Sequence, residues 1–320
     1  MNSKQVALIG GSGFIGYHLT IELQARGFQV EILDLKSPGT HFPPVIFKPL
    51  DLLNKKQVRE TLVGSNYGTM INLAAITNDK SPSILDYLVN FEGCKNLVDI
   101  LEELNSECRF IQISTQYVQK PISKGVLEDS PKAMNAYGES KKRGEEILKK
   151  SKLKNWVILR PTNVWGRYHP GFPQGFWRMM RKGFYVHPNR PVIRSYGYVG
   201  GVCNQIVQFA ALPESTALRK VYYVGDDPID SYIWVNAFSK ELCGKNVRVV
   251  PSAVILAASI FGEFLQKIGL NFPLNLKRYK SMTTDYIVDM EPTWKVITKP
   301  DQDFDKSVNE TAEWYLGAKS

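Results

Sequence analysis

The sequence has few residues of the kinds that build metal centres or disulfide frameworks. It contains four cysteines and four histidines in 320 residues. The cysteines lie far apart, at positions 94, 108, 203 and 243, without the spacing of metal ligands. This scarcity predicts free thiols in a reducing compartment and no metal site.

Long apolar segments are also missing. The most apolar helix candidate, Ala253 to Ile260, is followed by Glu263 and Lys267, so it is too short to cross a bilayer. The first five residues, Met1 to Gln5, include no apolar targeting region. We therefore expect a cytoplasmic protein without a membrane partner.

The net charge is positive, but the basic residues are not clustered. A formal net charge of +9 suits an anionic partner. The basic residues are dispersed, however, and the nearest approach to a cluster, 141–143, is followed by Glu145 and Glu146. This pattern argues against a nucleic-acid partner and favours a small phosphate-bearing ligand.

A glycine-rich turn near the start of the chain indicates what that ligand is. The apolar run Val6 to Ile9 leads into Gly10, Gly13 and Gly16, and a helical pattern follows from Tyr17 to Ala25. Strand, glycine turn and helix start are the context that a dinucleotide-binding fingerprint requires. The three glycines permit a tight turn, close approach of a pyrophosphate, and close packing of helix on strand. Phosphates then face the free N–H groups and the positive end of the helix dipole.

The second predicted strand selects between the two common dinucleotides. Gln29 to Asp34 reads as a strand that ends in a carboxylate, roughly 20 residues after the glycines. Asp34 can accept hydrogen bonds from the ribose hydroxyls of NAD and would repel a 2′-phosphate. NAD is favoured, and the nearby Lys36 leaves NADP as an alternative.

The following segments alternate between strand and helix patterns. Residues 45–52 and 69–75 read as strands, with a helical segment 55–62 between them, and 85–104 reads as a long amphipathic helix. The strand 109–118 carries Ser114 and Thr115 towards its carboxyl end, where ligands bind in open α/β sheets. This alternation predicts an α/β fold with a doubly wound, Rossmann-like parallel sheet.

A tyrosine and a lysine then occur at helical spacing. Tyr137 and Lys141 are four residues apart, so they share one face of the predicted helix. A nearby ammonium stabilises a phenolate, which makes Tyr137 a usable acid or base near neutral pH.

Taken together, these motifs resemble the extended short-chain dehydrogenase/reductase family, in the branch of NAD-dependent nucleotide-sugar epimerases and dehydratases. The resemblance rests on the glycine turn, Asp34, the Tyr137/Lys141 pair and the stretch from Arg160 to Gly166. It implies a dinucleotide-binding domain over residues 1–165, to which later segments return. It also implies a smaller C-terminal α/β lobe, mainly substrate-binding, over residues 166–320.

The resemblance also implies roles for individual residues. Tyr137 would exchange the proton of a sugar hydroxyl, Lys141 would hold the nicotinamide ribose, and Thr115 would hydrogen-bond the reacting oxygen. The residues implied for cofactor binding are Gly10, Ser12, Gly13, Phe14, Ile15, Gly16, Asp34, Asp51, Leu52, Leu73, Ala74, Ala75, Asn90 and Lys141. The residues implied for substrate binding are Thr77, Gln116, Asn163, His169 and Arg194. A lid helix is implied within 172–182.

Two departures from the family pattern narrow the reaction. Gln116 and Tyr117 stand where 4,6-dehydratases carry acidic residues, and glutamine cannot transfer protons. Gly200 and Gly201 replace an expected acidic residue. A standard dehydratase is therefore disfavoured, although Tyr117 could take over the proton transfer.

We therefore expect an NAD-dependent nucleotide-sugar epimerase that works through a transient keto-sugar. The alternatives are an NAD(P)H-dependent 4-keto-sugar nucleotide reductase, an atypical dehydratase that uses Tyr117, and a non-catalytic NAD(P) sensor. A homodimer is expected, paired through the helices within 85–104 and 137–148.

Overall fold

A parallel β-sheet flanked by helices forms the centre of the molecule. The computed structural model describes residues 4–77, 81–121, 131–172, 175–213, 219–270 and 272–317. The strands in chain order are Gln5–Ile9 (β1), Gln29–Asp34 (β2), Ile46–Pro49 (β3), Thr69–Asn72 (β4), Arg109–Ile113 (β5), Trp156–Pro161 (β6), Asn163–Trp165 (β7), Val186–Pro188 (β8), Ile193–Arg194 (β9), Tyr196–Tyr198 (β10), Lys220–Val224 (β11), Ile229–Asp230 (β12) and Arg248–Val250 (β13).

Eleven α-helices lie among the described residues, some packed on the main sheet and the others in the second half of the chain. They are Phe14–Ala25 (α1), Lys55–Leu62 (α2), Cys94–Glu103 (α3), Ala136–Lys150 (α4), Phe176–Arg181 (α5), Val199–Ala211 (α6), Ser231–Cys243 (α7), Ser252–Lys267 (α8), Leu276–Thr283 (α9), Glu291–Trp294 (α10) and Phe304–Gly317 (α11).

Seven strands form the main sheet, in the order β11-β6-β5-β4-β1-β2-β3, and every neighbouring pair is parallel. The central strands β4, β5 and β6 are buried along their whole length, as expected of a sheet covered on both faces. On one face, α1 and α6 pack over the sheet through Leu19, Leu23, Val202 and Ile206. On the other, α2, α3 and α4 complete a separate core. The predicted doubly wound Rossmann-like sheet is confirmed.

The second half of the chain builds an aromatic core of its own. Trp165, Trp177, Trp234 and Phe238 are buried together there with Tyr315 of α11. Between α5 and α7, which both contribute to this core, the chain returns to the main sheet. There β11 pairs with β6 and α6 packs against α1. The division of function at residue 165 stays a prediction.

The helix expected over 85–104 is less regular than its sequence pattern. A 3₁₀ turn over Ile84–Tyr87 leads into a π-helical segment over Val89–Gly93, and α3 begins only at Cys94. Hydrophobic spacing reports a helical face but does not distinguish these tighter and wider turns. Leu85 is exposed at the start of this stretch, and the homodimer expected there stays a prediction.

A buried ion pair fastens α4 to the sheet. Arg160 of β6 donates from Nε and Nη2 to the carboxylate of Glu145, at 2.9 and 2.8 Å, and the Ser114 hydroxyl donates to the same carboxylate at 2.6 Å. Arg160 and Glu145 are each 1 % exposed. Burial alone would raise the pKa of Glu145, but the bonds from Arg160 and Ser114 outweigh it and hold that pKa below its ordinary value.

Replacing Glu145 with glutamine should therefore destabilise the fold. Glu145→Gln leaves the buried Arg160 charge without its counter-ion, which we expect to lower the free energy of unfolding by ~3 kcal/mol. The wild-type contribution should be present above the ordinary carboxylate pKa and be lost as the pH falls through the lowered pKa of Glu145. Urea unfolding at neutral and acid pH measures both effects.

The matched control lies one residue further along α4. Glu146 pairs with Lys142 at 3.8 Å on the surface, so Glu146→Gln should change the unfolding free energy by less than ~0.5 kcal/mol. Equal unfolding curves for the two variants would show that the buried pair contributes nothing beyond a surface pair.

Candidate active site

The glycine turn joins β1 to α1 in the conformation that the sequence predicts. Gly10 has φ +71, and a Cβ there would collide with the Cα of Ala74. A Cβ on Gly16 would collide with the carbonyl oxygen of Gly11. No side chain among the described residues caps α1 at Gly13. The first N–H groups of α1 are thus available to an anion such as a pyrophosphate.

Asp34 lies at the end of β2, directly beside this turn. Its Oδ2 accepts a hydrogen bond from the Ser12 N–H at 2.9 Å, and its Oδ1 accepts one from the Lys36 N–H at 3.2 Å. Ser12 in turn donates its hydroxyl to the Lys36 carbonyl at 2.7 Å. A carboxylate oriented by backbone donors in this way suits the adenosine ribose hydroxyls of NAD.

A cleft of about 1610 Å³ is lined by residues at the carboxyl ends of the main strands and by residues of the aromatic core. Most of the residues that the sequence predicts for the site contribute to its wall. They are Gly10, Gly13, Phe14, Ile15, Gly16, Asp34, Asp51, Leu52, Leu73, Ala74, Ala75, Thr77, Thr115, Tyr117, Tyr137, Lys141, Asn163, His169 and Arg194.

Three predicted site residues do not line the cleft. Ser12 orients Asp34, as described above. Asn90 is buried and bonds the backbone of Ile76 and the hydroxyl of Ser140, so it ties the segment after β4 to α4. Gln116 is 1 % exposed and is not among the residues that line the cleft. Asn90 therefore supports the cleft from behind, and nothing in the geometry brings Gln116 to a substrate.

Tyr137 and Lys141 occupy the first turns of α4, beside Thr115 in the cleft wall. The Asn135 side chain caps this helix by accepting from the Gly138 N–H at 2.8 Å. Lys141 is 2 % exposed. Burial lowers the pKa of Lys141 to about 8, against the opposing attraction of Cys94 and Glu145. A lysine held this way is a cation at neutral pH and can favour the phenolate of a neighbouring tyrosine.

The strand expected over 109–118 ends earlier, at Ile113. Thr115 then caps a 3₁₀ turn over Gln116–Val118, which directs Tyr117 into the cleft. The Tyr117 hydroxyl donates to Asn163 Oδ1 at 3.1 Å, and the ring lies edge-on to Tyr137 with 6.3 Å between centroids. Tyr117 and Asn163 therefore act as one hydrogen-bonded unit opposite the Tyr137 ring.

Sequence reasoning missed the residue that holds this turn in place. The Tyr286 hydroxyl lies 2.7 Å from each of the carbonyl oxygens of Gln116 and Gln119, so its single proton is shared between these two acceptors. Its ring is also stacked against Tyr117, with a centroid distance of 6.1 Å. The contact joins residues about 170 positions apart, so no local pattern in the sequence marks it.

His169 has a single tautomer imposed on it by the backbone. Its Nδ1 accepts from the N–H groups of Gly171 and Phe172, at 3.0 and 3.2 Å, so the proton of the neutral ring is on Nε2. Burial lowers the pKa of His169 to about 4. The ring packs edge-on against Phe14 at the start of α1. It therefore offers the cleft a hydrogen-bond donor at neutral pH and not a base.

The far end of the cleft combines a cation with aromatic side chains. Arg194 donates from Nη2 to the Thr284 carbonyl at 3.2 Å, which leaves other donors of its guanidinium for a ligand. Tyr196 and Trp234 stack at 4.8 Å beside it. His187 also lines this end, although the sequence analysis did not select it, and its Nε2 lies 3.1 Å from the Ser231 hydroxyl. Helix α5 lies within the segment 172–182 that was expected to form a lid, and residues 173 and 174 lie outside the described residues. Its role as a lid stays a prediction.

Two absences hold for the part of the chain that the structure describes. It contains no helix that is both long and apolar enough to cross a membrane. It also contains no cluster of histidine, cysteine, aspartate and glutamate that could hold a metal ion.

Comparison with curated proteins finds relatives of moderate similarity. Human sterol-4-alpha-carboxylate 3-dehydrogenase, decarboxylating, is 29% identical over 176 residues, which are 52% of this chain and 46% of the human protein. dTDP-6-deoxy-L-talose 4-dehydrogenase (NAD(P)(+)) from Kitasatospora kifunensis is 29% identical over 178 residues, which are 52% of this chain and 54% of that protein. The matches thus span about half the length of these relatives.

Solved structures match over nearly the whole chain. UDP-glucose 4-epimerase from Thermotoga maritima, solved with UDP-glucose, has a TM-score of 0.74 at 18% identity and covers 99% of this chain and 100% of its own. UDP-glucose 4-epimerase from Thermus thermophilus, solved with NAD, has a TM-score of 0.72 at 24% identity and covers 98% and 99%. At these identities the likeness shows a common fold.

The family follows from a direct match of the sequence. The model of the NAD dependent epimerase/dehydratase family matches residues 6–225, which include the glycine turn, the Tyr137/Lys141 helix and the last strand of the main sheet. The chain therefore belongs to the NAD-dependent epimerase/dehydratase family of enzymes.

Proposed function

We propose that this enzyme epimerises a nucleotide-diphosphate sugar through a transient keto-sugar, with NAD as a recycled cofactor. The observation that carries the proposal is the meeting of three elements in one cleft. The elements are the glycine turn, the group of Tyr137, Lys141 and Thr115, and Arg194 with the Tyr196/Trp234 stack, and all of them line the cleft.

The size of the cleft supports two ligands. Its volume of about 1610 Å³ exceeds the ~300–1,000 Å³ of a usual single-ligand pocket. A dinucleotide on the glycine turn would leave the end near Arg194 for a second large molecule. A guanidinium suits a diphosphate, which it can bind with two parallel hydrogen bonds.

Tyr137 would move the proton of the reaction. Its phenolate takes the proton of the sugar hydroxyl as the carbon loses hydride, and it returns the proton when the ketone is reduced on its other face. Lys141 favours the phenolate by its charge, and Thr115 orients the reacting oxygen. NAD, when bound, accepts the hydride and gives it back. Tyr117 and Asn163 would contact the sugar on the side facing Tyr137.

A net reductase or dehydrogenase is the second candidate. It is favoured by the names of the curated relatives, since the Kitasatospora kifunensis protein is a dTDP-sugar 4-dehydrogenase. Such an enzyme would use the same Tyr137 chemistry but exchange its cofactor in each turnover.

Cofactor stoichiometry separates the two candidates. The purified protein is denatured and the released nucleotides are identified by mass spectrometry, then fresh enzyme is assayed with UDP- and dTDP-hexoses. An epimerase should release near-stoichiometric NAD and form the epimer without accumulating NADH. One NADH formed or consumed per product would support the second candidate, and absence of any dinucleotide binding would refute both.

Loss of the Tyr137 hydroxyl should abolish turnover without emptying the cofactor site. We expect Tyr137→Phe to lower kcat by ~10²–10⁴-fold, because proton transfer by a positioned side chain supplies a factor of that size. The dissociation constant for NAD, measured by calorimetry, should change less than ~threefold, since the ring still fills its place in the wall.

The neighbouring tyrosine provides the control. Tyr117→Phe removes the hydrogen bond to Asn163 but leaves the proposed acid/base in place, so its rate loss should be at least ~tenfold smaller than that of Tyr137→Phe. A larger loss in the Tyr117 variant would transfer the acid/base role to that residue, as the atypical dehydratase requires.

The pH dependence should reflect Lys141. Because burial lowers its pKa to about 8, the ammonium is present below that pH and is lost above it. The kcat/KM profile, which reports the free enzyme, should therefore fall above pH ~8. In Lys141→Arg the guanidinium stays charged, so the residual activity should keep its value to higher pH. An unchanged alkaline limb in this variant would exclude Lys141 as its source.

A further inference from the structure

Helix α8 buries small residues and exposes large apolar ones, which is the opposite of most helices on the surface of a globular domain. Its buried face consists of Ile255, Ser259 and Gly262, at spacings of four and three residues. Large apolar side chains face solvent instead, and each is 54–58% exposed: Val254, Ile260, Phe261 and Phe264. A surface helix normally buries its larger apolar residues and exposes polar ones.

The apolar face continues past the end of the helix. Ile268 and Leu270 are 57% and 55% exposed, and Leu276 at the start of α9 is 42% exposed. We call these seven residues from Val254 to Leu276 the α8 patch. Its two phenylalanines alone expose about 200 Å², and the aliphatic side chains extend the patch to the size that marks an interaction site.

Basic residues accompany the α8 patch along the same stretch of chain. Between residues 252 and 283 the chain has the cations Lys267, Lys277, Arg278 and Lys280 and a single carboxylate, Glu263. All four cations are exposed. Glu263 is partly covered and lies 3.4 Å from the Leu276 N–H. The patch and its rim therefore combine apolar surface with a local charge of +3 (four cations less one carboxylate).

The helix pair α8 and α9 also lines the cleft, through α9 and the link between the two helices. Phe272, Pro273 and Leu274, between α8 and α9, line the cleft, as do Arg278, Ser281 and Met282. The segment that carries the α8 patch therefore also contributes residues to the wall of the cleft.

We propose that the α8 patch docks on the surface of a membrane that contains anionic phospholipids. Exposed phenylalanine, isoleucine and leucine beside lysine and arginine are the composition of helices that lie in the membrane interface. Each basic residue near an anionic surface adds ~1 kcal/mol of attraction. A second copy of this chain fits less well, because a two-fold contact would bring the two cationic rims together.

Peripheral docking needs no spanning segment, so it is compatible with the absence of a membrane-crossing helix among the described residues. The lack of spanning and targeting segments, from which we expected no membrane partner, does not bear on docking at the membrane surface. Docking does not depend on the proposed epimerase activity. Its consequence is that the part of the cleft wall formed by Phe272 and Met282 would lie on the same helix pair as the lipid contact.

Co-sedimentation with vesicles tests the proposal. The full chain is mixed with vesicles of phosphatidylcholine alone, or of equal parts phosphatidylcholine and phosphatidylglycerol. We expect binding to the anionic vesicles, weakening as salt is added, and at least ~tenfold weaker binding to phosphatidylcholine. The double variant Ile260→Ser/Phe264→Ser should bind the anionic vesicles at least ~tenfold more weakly, because it removes two of the inserting side chains.

The control is a double variant of equally exposed apolar residues elsewhere. Ile46→Ser/Val63→Ser changes residues that are 65% and 54% exposed on β3 and after α2, and it should bind vesicles like the wild type. Melting curves and NAD binding verify that both variants are folded. Equal binding of the two variants, or no binding of the wild type, would overturn the proposal. So would a wild-type dimer in solution that only the α8 variant dissociates, because the patch would then be covered by a second copy.

Discussion

The buried bond between Arg160 and Glu145 is the constraint on which the active-site geometry depends. It joins β6 to α4, and the Ser114 hydroxyl brings the end of β5 to the same carboxylate. Thr115 follows Ser114 directly, while Tyr137 and Lys141 lie on the helix that Glu145 anchors. The ion pair, which lies outside the cleft, therefore fixes the position of the candidate acid/base relative to Thr115, the hydroxyl proposed to orient the substrate. Desolvation makes such a pair intolerant of losing one partner.

The sheet order determines where the cleft can form. The strands proceed from β1 outward to β2 and β3 on one side, and to β4, β5, β6 and β11 on the other. At such a reversal the connections leave in opposite directions, and a crevice opens at the carboxyl ends of the strands. The glycine turn lies after β1 at this point, and the residues after β4 and β5 supply the adjacent wall. Cofactor and candidate catalytic side chains are neighbours because the strand order makes them so.

Local patterns in the sequence predicted much of this arrangement. The segments Gln29–Asp34 and Lys55–Leu62 have the expected bounds, and α4 carries Tyr137 and Lys141 on one face as their spacing requires. What the patterns could not give depends on distant contacts. Gln116 is buried in the turn that follows β5, and Tyr286 bonds the backbone of this turn from far along the sequence. The periodicity of α8 likewise reveals an apolar stripe, but only the tertiary structure shows that the stripe is left uncovered.

The path of the chain between the main sheet and the aromatic core limits how these two parts can separate. After β6 the chain enters the second core, returns to pack α6 against α1 and to add β11 at the edge of the sheet, and then leaves again. The main sheet and the core under α1 and α6 cannot be completed without this returning segment. The dinucleotide half without residues 199–224 would lack both a covering helix and an edge strand. Unfolding of the aromatic core would therefore withdraw contacts from the main sheet, and the reverse also holds. We expect the molecule to unfold as one cooperative unit, although its aromatic core is separate from the aliphatic packing on the sheet.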